Sequence, residues 1–306
     1  MTRLEPKISV VIATLNREES LCNTLRYFLE IETYPCFEVI VIDQSDGHLE
    51  ATRDFLERNA DKLRYVRTAY KSLPKARNHG TRLARGEIVV FVDDDVGPVP
   101  GFLFAHAARY VDQGVVGVTG PVLQPGQLQA GRGEISDDAY QALVQQREMR
   151  FDVDFTFSAQ WAVGCNMSFR RAVVIDVGGF DEGFEGAALG DDSEFSCRAR
   201  KMGTICYAPE ARLVHLQVPN GGCRDAASQR EYLRQTIFCE NYFLFRVDVP
   251  SWRRWALMCG AFRRNVLNRR VLGGGSFLQS GLGFAEGLWR SSAHIHRVER
   301  AKRGKQ

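Results

Sequence analysis

The sequence predicts an α/β fold: a mostly parallel sheet flanked by helices, with a basic helical extension at the C-terminal end. Three observations carry that expectation. Short apolar runs rich in β-branched residues recur, as in strands buried on both faces. Helical periodicities lie between them with short links, as in right-handed βαβ units. Basic charge is gathered at one end: Ser251 to Gln306 holds twelve Lys/Arg against two Asp/Glu, net +10, while the remainder is −7 and the whole chain +3. The expected division is therefore 1–250 as an α/β domain and 251–306 as a basic tail.

Taken in order, Lys7 to Thr14 (KISVVIAT) is the first buried strand. Asn16 to Glu30 follows at helical spacing through Leu21, Leu25, Phe28 and Leu29, with Asn16 as its expected N-cap. Phe37 to Asp43 (FEVIVID) is a second strand, ended by the turn signature QSDG. Asp54 to Leu63 reads as a helix, Leu63 to Thr68 as a short strand, and Leu73 to Ala84 as a helix. Ile88 to Val92 is the central strand, stopped after three aspartates by Gly97, Pro98 and Pro100. Gly114 to Pro121 is a further strand, and Gln124 to Gly133 a Gly/Gln-rich loop. A strand within Phe155 to Phe169 carries Asn166. Arg170 to Val177 is a short helix stopped at Gly178-Gly179. Asp192 to Met202 is helical, Ala211 to Leu216 a strand bearing His215, and Ser228 to Val247 a long aromatic-rich helix. Gly273-Gly274-Gly275 breaks the tail.

The composition is that of a globular protein of 306 residues, 44% hydrophobic and 25% charged. No apolar run approaches the roughly 18 residues of a membrane span, and the first residues lack the apolar core of a signal peptide. Eight scattered cysteines without a CxxC pair read as buried thiols, which points to a reducing, cytoplasmic setting.

The central strand delivers Asp93, Asp94 and Asp95 to its C-terminal end, where open α/β sheets bind ligands. Three adjacent carboxylates repel unless a cation or hydrogen-bond donors offset them. Strand alternation sends Asp93 and Asp95 one way and Asp94 the other. An Asp-x-Asp pair of hard oxygen ligands suits Mg²⁺ or Mn²⁺ holding a diphosphate; the plainer alternative is a solvated acidic turn. Asp43 ends its strand at the same edge, where Ser45, Asp46 and Gly47 equally fit a turn cap. Asp191-x-x-Glu194 has the form of a capping box, and a carboxylate at a helix N-terminus stays ionised. His215 suits either a metal ligand or a core position on its strand.

The pieces VVIATLNR, VIDQSDG, ARNHG, VVFVDDD, GGFDE, GDDSEF and YAPEARLVHL, in this order and spacing, resemble family-2 glycosyltransferases with the Rossmann-like A-type fold. The resemblance covers about Ile8 to about Phe245. It implies an inverting transfer of a sugar from a nucleotide-diphosphate donor, UDP by default, to a hydroxyl of a glycan or lipid-linked acceptor. Asp43 would then hydrogen-bond the base and Thr14 lie against it. Arg77 would stand near base and diphosphate, and Asp94 on the nucleotide side, unless it points into solvent or back into the sheet. Asp93 would bind ribose or metal, Asp95 would be the direct metal ligand, and His215 would complete a Mn²⁺ or Mg²⁺ site. Asp192 maps to the base, with Asp191 beside it. Gly179, Asp181 and Glu182 map to an acceptor-facing loop, and Trp161 and Asn166 to the sugar site. Two departures stand out: Val96 where the family often has another acid, and Asp191 where it usually has Glu.

Between Trp252 and Leu272, Trp252, Trp255, Phe262, Val266 and Leu267 fall near one helical face among Arg253, Arg254, Arg263, Arg264 and Arg270. Such a pattern suits either an anionic membrane surface on the inner face of the cell membrane or packing on the domain; no nucleic-acid partner is expected. A sugar nucleotidylyltransferase would need a glycine-rich phosphate loop after the first strand, and a dehydrogenase a GxGxxG there; neither is present. A non-enzymatic polyanion- or membrane-binding module explains the tail but not the buried-strand aspartates.

Overall fold

The computed structural model describes residues 7–125, 155–218, 221–222, 228–268, 271 and 276–303. Two compact units divide the chain. One comprises Met1–Lys71, Lys75–Phe180 and Phe195–Gly221; the other Ser72–Pro74, Asp181–Glu194 and Gly222–Gln306. The second unit thus gathers the 181–194 segment and the helix before residue 250 together with the basic tail.

In the first unit the opening strands are β1 (Ile8–Thr14), β2 (Phe37–Asp43), β3 (Leu63–Arg67) and β4 (Ile88–Val92). Between them lie α1 (Glu19–Arg26), α2 (Glu50–Arg58) and α3 (Leu73–Leu83). After β4 come β5 (Val96–Pro98), α4 (Phe102–Arg109), β6 (Val115–Thr119), β7 (Val122–Leu123), β8 (Phe157–Ser158), β9 (Asn166–Arg170) and α5 (Arg171–Asp176). Helix α6 (Asp191–Ala199) precedes β10 (Thr204–Tyr207) and β11 (Leu213–His215). Among the described residues, eight strands form one sheet in the order β3-β2-β1-β4-β9-β6-β10-β8, and three form a small sheet, β5-β11-β7.

The pairs β1/β2, β1/β4, β2/β3 and β6/β10 are parallel. Strand β9 departs from the expected parallel pattern, running antiparallel to β4 and β6. Alternation then fills both faces. Val10, Ile12, Val39, Val41, Val90 and Val92 bury on the side of α1 and α4. Val11, Ile40, Ile42, Val89 and Phe91 bury on the side of α3, α5 and α6. That two-sided burial is why these runs carry no polar residue every second position.

The first helix starts later than its periodicity suggests. Asn16 takes the left-handed conformation, φ 52°, and its N–H donates to Ser45 Oγ at 2.7 Å. It therefore fastens the β1 loop to the β2 loop, and the cap position is Glu18. Helix α2 begins at Glu50, four residues earlier than expected, and ends at Arg58 because the 59–62 turn is needed to enter β3.

In the second unit α7 (Gln229–Arg246) is capped by Ser228, whose Oγ accepts from Glu231 N. The tail forms α8 (Ser251–Asn265) and α9 (Phe277–Arg303). The single apolar face expected from Trp252 to Leu267 is split: Val266 is buried and Phe262 packs on Phe284, while Trp252 and Trp255 face outward. Arg270, the Gly273–Gly275 break and most of the Gln124–Gly133 loop lie outside the described residues.

Candidate functional site

In the first unit, the register Thr14↔Asp43 and Ile12↔Val92 brings the ends of β1, β2 and β4 to one edge. Beyond Val92 the chain turns through Asp93, Asp94 and Asp95 into β5. Strand β11 pairs antiparallel with β5 and sets His215 opposite Val96. A small second sheet thus exists at the point where it can hold a histidine against the aspartates.

Asp93, Asp95 and His215 each offer a ligand atom, and these atoms lie within 4.8 Å of one another. His215 Nε2 is 3.1 Å from Asp95 Oδ1 and 3.8 Å from Asp93 Oδ2. Asp95 Oδ2 also accepts from Val218 N at 3.1 Å. Burial alone would raise the Asp95 carboxyl, but His215, Arg17 and the Val218 N–H hold it below its ordinary value. Two carboxylates and an imidazole are a fitting donor set for Mn²⁺, and a less natural one for Mg²⁺, which prefers oxygen. Val96, where a further acid was missing from the motif, is core.

Asp94, in the turn beyond β4, stands apart from these ligand atoms and is buried. Thr14 Oγ1 donates to its Oδ2 at 2.6 Å. Burial pushes this carboxyl up to about 7, against the opposing pull of Thr14 and Arg17. Arg17 was not singled out from the sequence. It is buried, with Nε 3.7 Å from Asp94 Oδ1 and Nη2 3.4 Å from Asp95 Oδ2, and Nη1 donating to Val218 O at 2.8 Å. The only signal for it was a cation in the loop directly after a buried strand.

Asp43 is enclosed by its own chain. Ser45 N donates to Oδ1 at 2.9 Å, and His48 Nε2 lies 3.1 Å from Oδ2, which the Tyr65 hydroxyl also contacts. Burial would raise Asp43, but these hydrogen bonds win and hold it at about 2. His48 is raised, chiefly by its bond to Asp43, and its other nitrogen meets Glu18 Oε1 at 3.1 Å. Ser45 fits the turn-cap reading, while His48 and Tyr65 were invisible in the local pattern because one lies five and the other twenty-two residues away.

Arg77 is buried rather than on a helix surface. Its Nη2 is 3.9 Å from Asp93 Oδ1 and donates to Gly164 O at 3.1 Å, and the guanidinium lies 5.4 Å from the Phe180 ring centroid. The next residue, Asn78, clamps the GGF turn: its Nδ2 donates to Phe180 O at 2.9 Å and its Oδ1 accepts from Phe180 N at 2.7 Å. Gly179 has φ 73° and a Cβ there would stand 2.5 Å from Asn78 Oδ1, so only glycine fits.

Asn166 is not placed to line a sugar site. It is fully buried. Its Nδ2 donates to Pro121 O and Ala211 O at 3.0 and 2.8 Å, and its Oδ1 meets His106 Nε2 at 3.1 Å. It joins the two sheets, and its amide capacity is spent doing so. Trp161 is half-buried on the approach to β9.

The second unit holds the other acidic cluster. Asp191 is buried and Asp192 half-exposed in the first turn of α6. Asp191 is itself helical and Glu194 Oε1 accepts from Arg246 at 3.1 Å, so the segment departs from a simple Asp191-capped box. Asp192 Oδ1 accepts from Ser193 N at 2.6 Å. Asp181 Oδ2 pairs with Arg246 Nε at 2.5 Å and accepts from the Tyr242 hydroxyl at 3.0 Å. Arg246 therefore ties the 181 loop to α6. Glu182 is exposed.

Residues 9–178 match the sequence model of Glycosyl transferase family 2. The chain belongs to glycosyltransferase family 2. Among curated relatives of this family-2 member is validoxylamine A glucosyltransferase of Streptomyces hygroscopicus subsp. limoneus, 33% identical over 65% of this chain and 49% of the relative. The glucosyl-dolichyl phosphate glucuronosyltransferase of Haloferax volcanii is 25% identical over 57% of this chain and 56% of the relative. The chain thus spans about half the length of these relatives. Among solved structures, the mannosyltransferase PcManGT of Pyrobaculum calidifontis, in complex with GDP-Man and Mn²⁺, superposes with a TM-score of 0.57 at 18% identity, over 94% of this chain and 88% of that one. GalNAc-T7 with UDP, GalNAc and Mn²⁺ gives 0.56 at 16% identity, over 79% and 50%. The family-2 chain accordingly has the A-type glycosyltransferase fold. Among its described residues, no helix is long and apolar enough to cross a membrane.

Proposed function

We propose that this family-2 member is an inverting, divalent-cation-dependent glycosyltransferase using a nucleoside-diphosphate sugar, UDP-linked in the first instance. Its acceptor is a hydroxyl of a glycan or lipid-linked saccharide, in polysaccharide or glycoconjugate biosynthesis, and it works peripherally at the inner face of the cell membrane. The observation that carries this is the convergence of Asp93, Asp95 and His215 at the C-terminal edge of a parallel sheet, with Arg77 beside Asp93. A cation held by these three residues supplies positive charge against a leaving diphosphate.

The chain's own residues have separable tasks. Asp43 and Thr14 face the base side, and Arg77 and Arg17 contribute positive charge near the phosphates. Asp192, in the first turn of its helix, accepts the proton of the acceptor hydroxyl as that oxygen bonds to the anomeric carbon. The bond from that carbon to the diphosphate oxygen breaks in the same displacement, which inverts the centre. Gly179, Asp181, Glu182 and Trp161 shape the acceptor side. Asp191 supports Asp192. Mn²⁺ in both solved neighbours, one with UDP and one with GDP-Man, supports the cation and leaves the base to experiment.

Thermal unfolding with Mn²⁺ and a panel of nucleoside diphosphates identifies the donor base. Turnover is then compared for Asp95→Ala and Asp192→Asn. Both variants are expected to unfold cooperatively and to lose at least about 10²-fold in kcat. Wild-type turnover by either removes the role given to it.

A further inference from the structure

The two tail helices of the second unit turn an apolar face to water, and the packing of α9 shows that this is built in. Gly283 and Gly287 lie against α7 so closely that a Cβ would stand 2.4 Å from Arg230 O and from Arg234 O respectively. Ser291, on the same side, accepts from Asn241 Nδ2 at 2.8 Å. These small residues fix the rotation of α9 on α7. The side opposite them then carries Leu278, Leu282, Ala285 and Trp289, spaced four, three and four residues apart on one helical stripe. Leu278 is 73% exposed, Leu282 46% and Trp289 71%.

Helix α8 repeats the arrangement. Met258 and Ala261 are buried with Ile237 and Phe284, and the outward stripe is Trp252, Trp255, Ala256 and Cys259. Trp252 is 74% exposed and Trp255 57%. Phe262 of α8 meets Phe284 of α9 edge-on at 5.1 Å. Trp255 and His296 line one crevice of about 290 Å³, so the two helices lie side by side. Three of the four tryptophans of the chain are on these stripes. Arg253, Arg263, Arg264, Arg297 and Arg300 are exposed on the same two helices.

We infer that this two-helix face docks on an anionic lipid bilayer, its Trp and Leu side chains entering the headgroup–acyl boundary and its arginines meeting lipid phosphates. The alternative occupant of such a face is a second copy of the chain. A two-fold contact sets the same patch against itself, and here it would oppose two segments of net +10. Like charge disfavours that pairing and favours an anionic surface. The inference deepens the membrane-peripheral part of the proposed function and rests on it for its purpose, but not for its measurement.

The test uses the full chain without donor or acceptor. It is sedimented with vesicles of phosphatidylcholine alone and of phosphatidylcholine with about a third phosphatidylglycerol, and its tryptophan emission is recorded. Expected are co-sedimentation and a blue shift with the anionic vesicles only, weakened by salt. The double variants Trp252→Ser/Trp255→Ser and Leu282→Ser/Trp289→Ser should each lower the partition about tenfold or more at unchanged melting temperature. The variant Arg263→Glu/Arg264→Glu should lower it similarly and flatten its salt dependence. A chain that stays in the supernatant with anionic vesicles overturns the inference. So do apolar variants that sediment like the wild type, or a dimer in sedimentation velocity that these substitutions dissociate. Turnover on a water-soluble acceptor is measured separately: binding without turnover upholds the docking face and overturns the proposed reaction, whereas turnover without binding does the reverse.

Discussion

Replacing His48 by alanine separates the energetic role of the Asp43 site from any ligand. Asp43 is fully buried, and its ordinary value of 3.8 is brought down to about 2. At about 1.4 kcal/mol per tenfold, the folded chain favours its ionised form by about 2.5 kcal/mol. Because the folded value is depressed, that stability is present above the ordinary value and is lost as pH falls towards about 2. His48 moves the opposite way. Its folded value is raised, so its contribution is complete below its ordinary value of 6.5 and fades as pH rises through the folded one. At about pH 6 the ring bridges Asp43 and Glu18 as a cation, and a charge-assisted hydrogen bond contributes about 1.5–3 kcal/mol. Above the folded value the neutral ring still donates one bond, worth about 1 kcal/mol. The His48→Ala variant should therefore melt about 3–12 °C below the wild type near pH 6 and about 2–4 °C below it at a pH above the folded His48 value, at roughly 2–4 °C per kcal/mol. Circular dichroism on both proteins at each pH measures the gap, and taking the difference cancels the other titrating groups. A gap that is the same at both pH values means that His48 is not charged between the two carboxylates and refutes the reasoning.

Two further outcomes follow from the same coordinates. Asn166→Leu leaves Pro121 O, Ala211 O and a His106 ring nitrogen without their partner. It should cost about 3 kcal/mol or more in denaturant unfolding, whereas a residue that merely lined a sugar site would change KM at unaltered stability. Mn²⁺ at about a hundred times its dissociation constant should stabilise the wild type by about 2.7 kcal/mol. Chelation should reverse this, and His215→Ala should weaken Mn²⁺ binding at least tenfold by isothermal titration calorimetry.

The sequence made the frame of the sheet and the positions of the metal-competent residues legible, for a common reason. Both depend on strands buried on both faces: the unbroken apolar run Ile88–Val92 marks β4, and the aspartates follow directly at its C-terminal end. Asp93 and Asp95 do gather with His215 while Asp94 meets Thr14, but they lie in a turn beyond the strand, so alternation does not account for that sorting. The antiparallel β9 was not legible, because strand sense depends on the route of the chain and not on its composition. Neither was the role of Asn166, whose partners lie 45 and 60 residues away. A polar residue in a buried strand looks the same in sequence whether it faces a substrate or spans two sheets. Arg17 and His48 escaped for a related reason: a single cation in a polar loop carries no periodicity, and only the fold shows that it is buried among acids. In the tail, helical spacing located apolar faces but not which of them was outward. Gly283 and Gly287 decide that for α9 by letting one side approach the α7 backbone.

The acidic triplet shows why the small second sheet belongs to the site. Three adjacent carboxylates at a strand end destabilise the fold unless each is offset. The turn shares the burden unevenly, since it buries Asp94 against Thr14 of β1 and leaves Asp93 and Asp95 together. Asp94 is offset locally, by Thr14 from the neighbouring strand and by Arg17 from the loop behind it. Arg17 also reaches Asp95; the other groups that offset this pair come from elsewhere in the chain. Pairing β5 with β11 brings two of them at once, the His215 imidazole and the Val218 N–H. The arrangement stabilises the corner without cancelling its charge, because Asp93 stays partly open and His215 is a ligand as readily as a hydrogen-bond partner. A corner built with two apolar residues in these places would fold more easily and would have nothing to offer a cation.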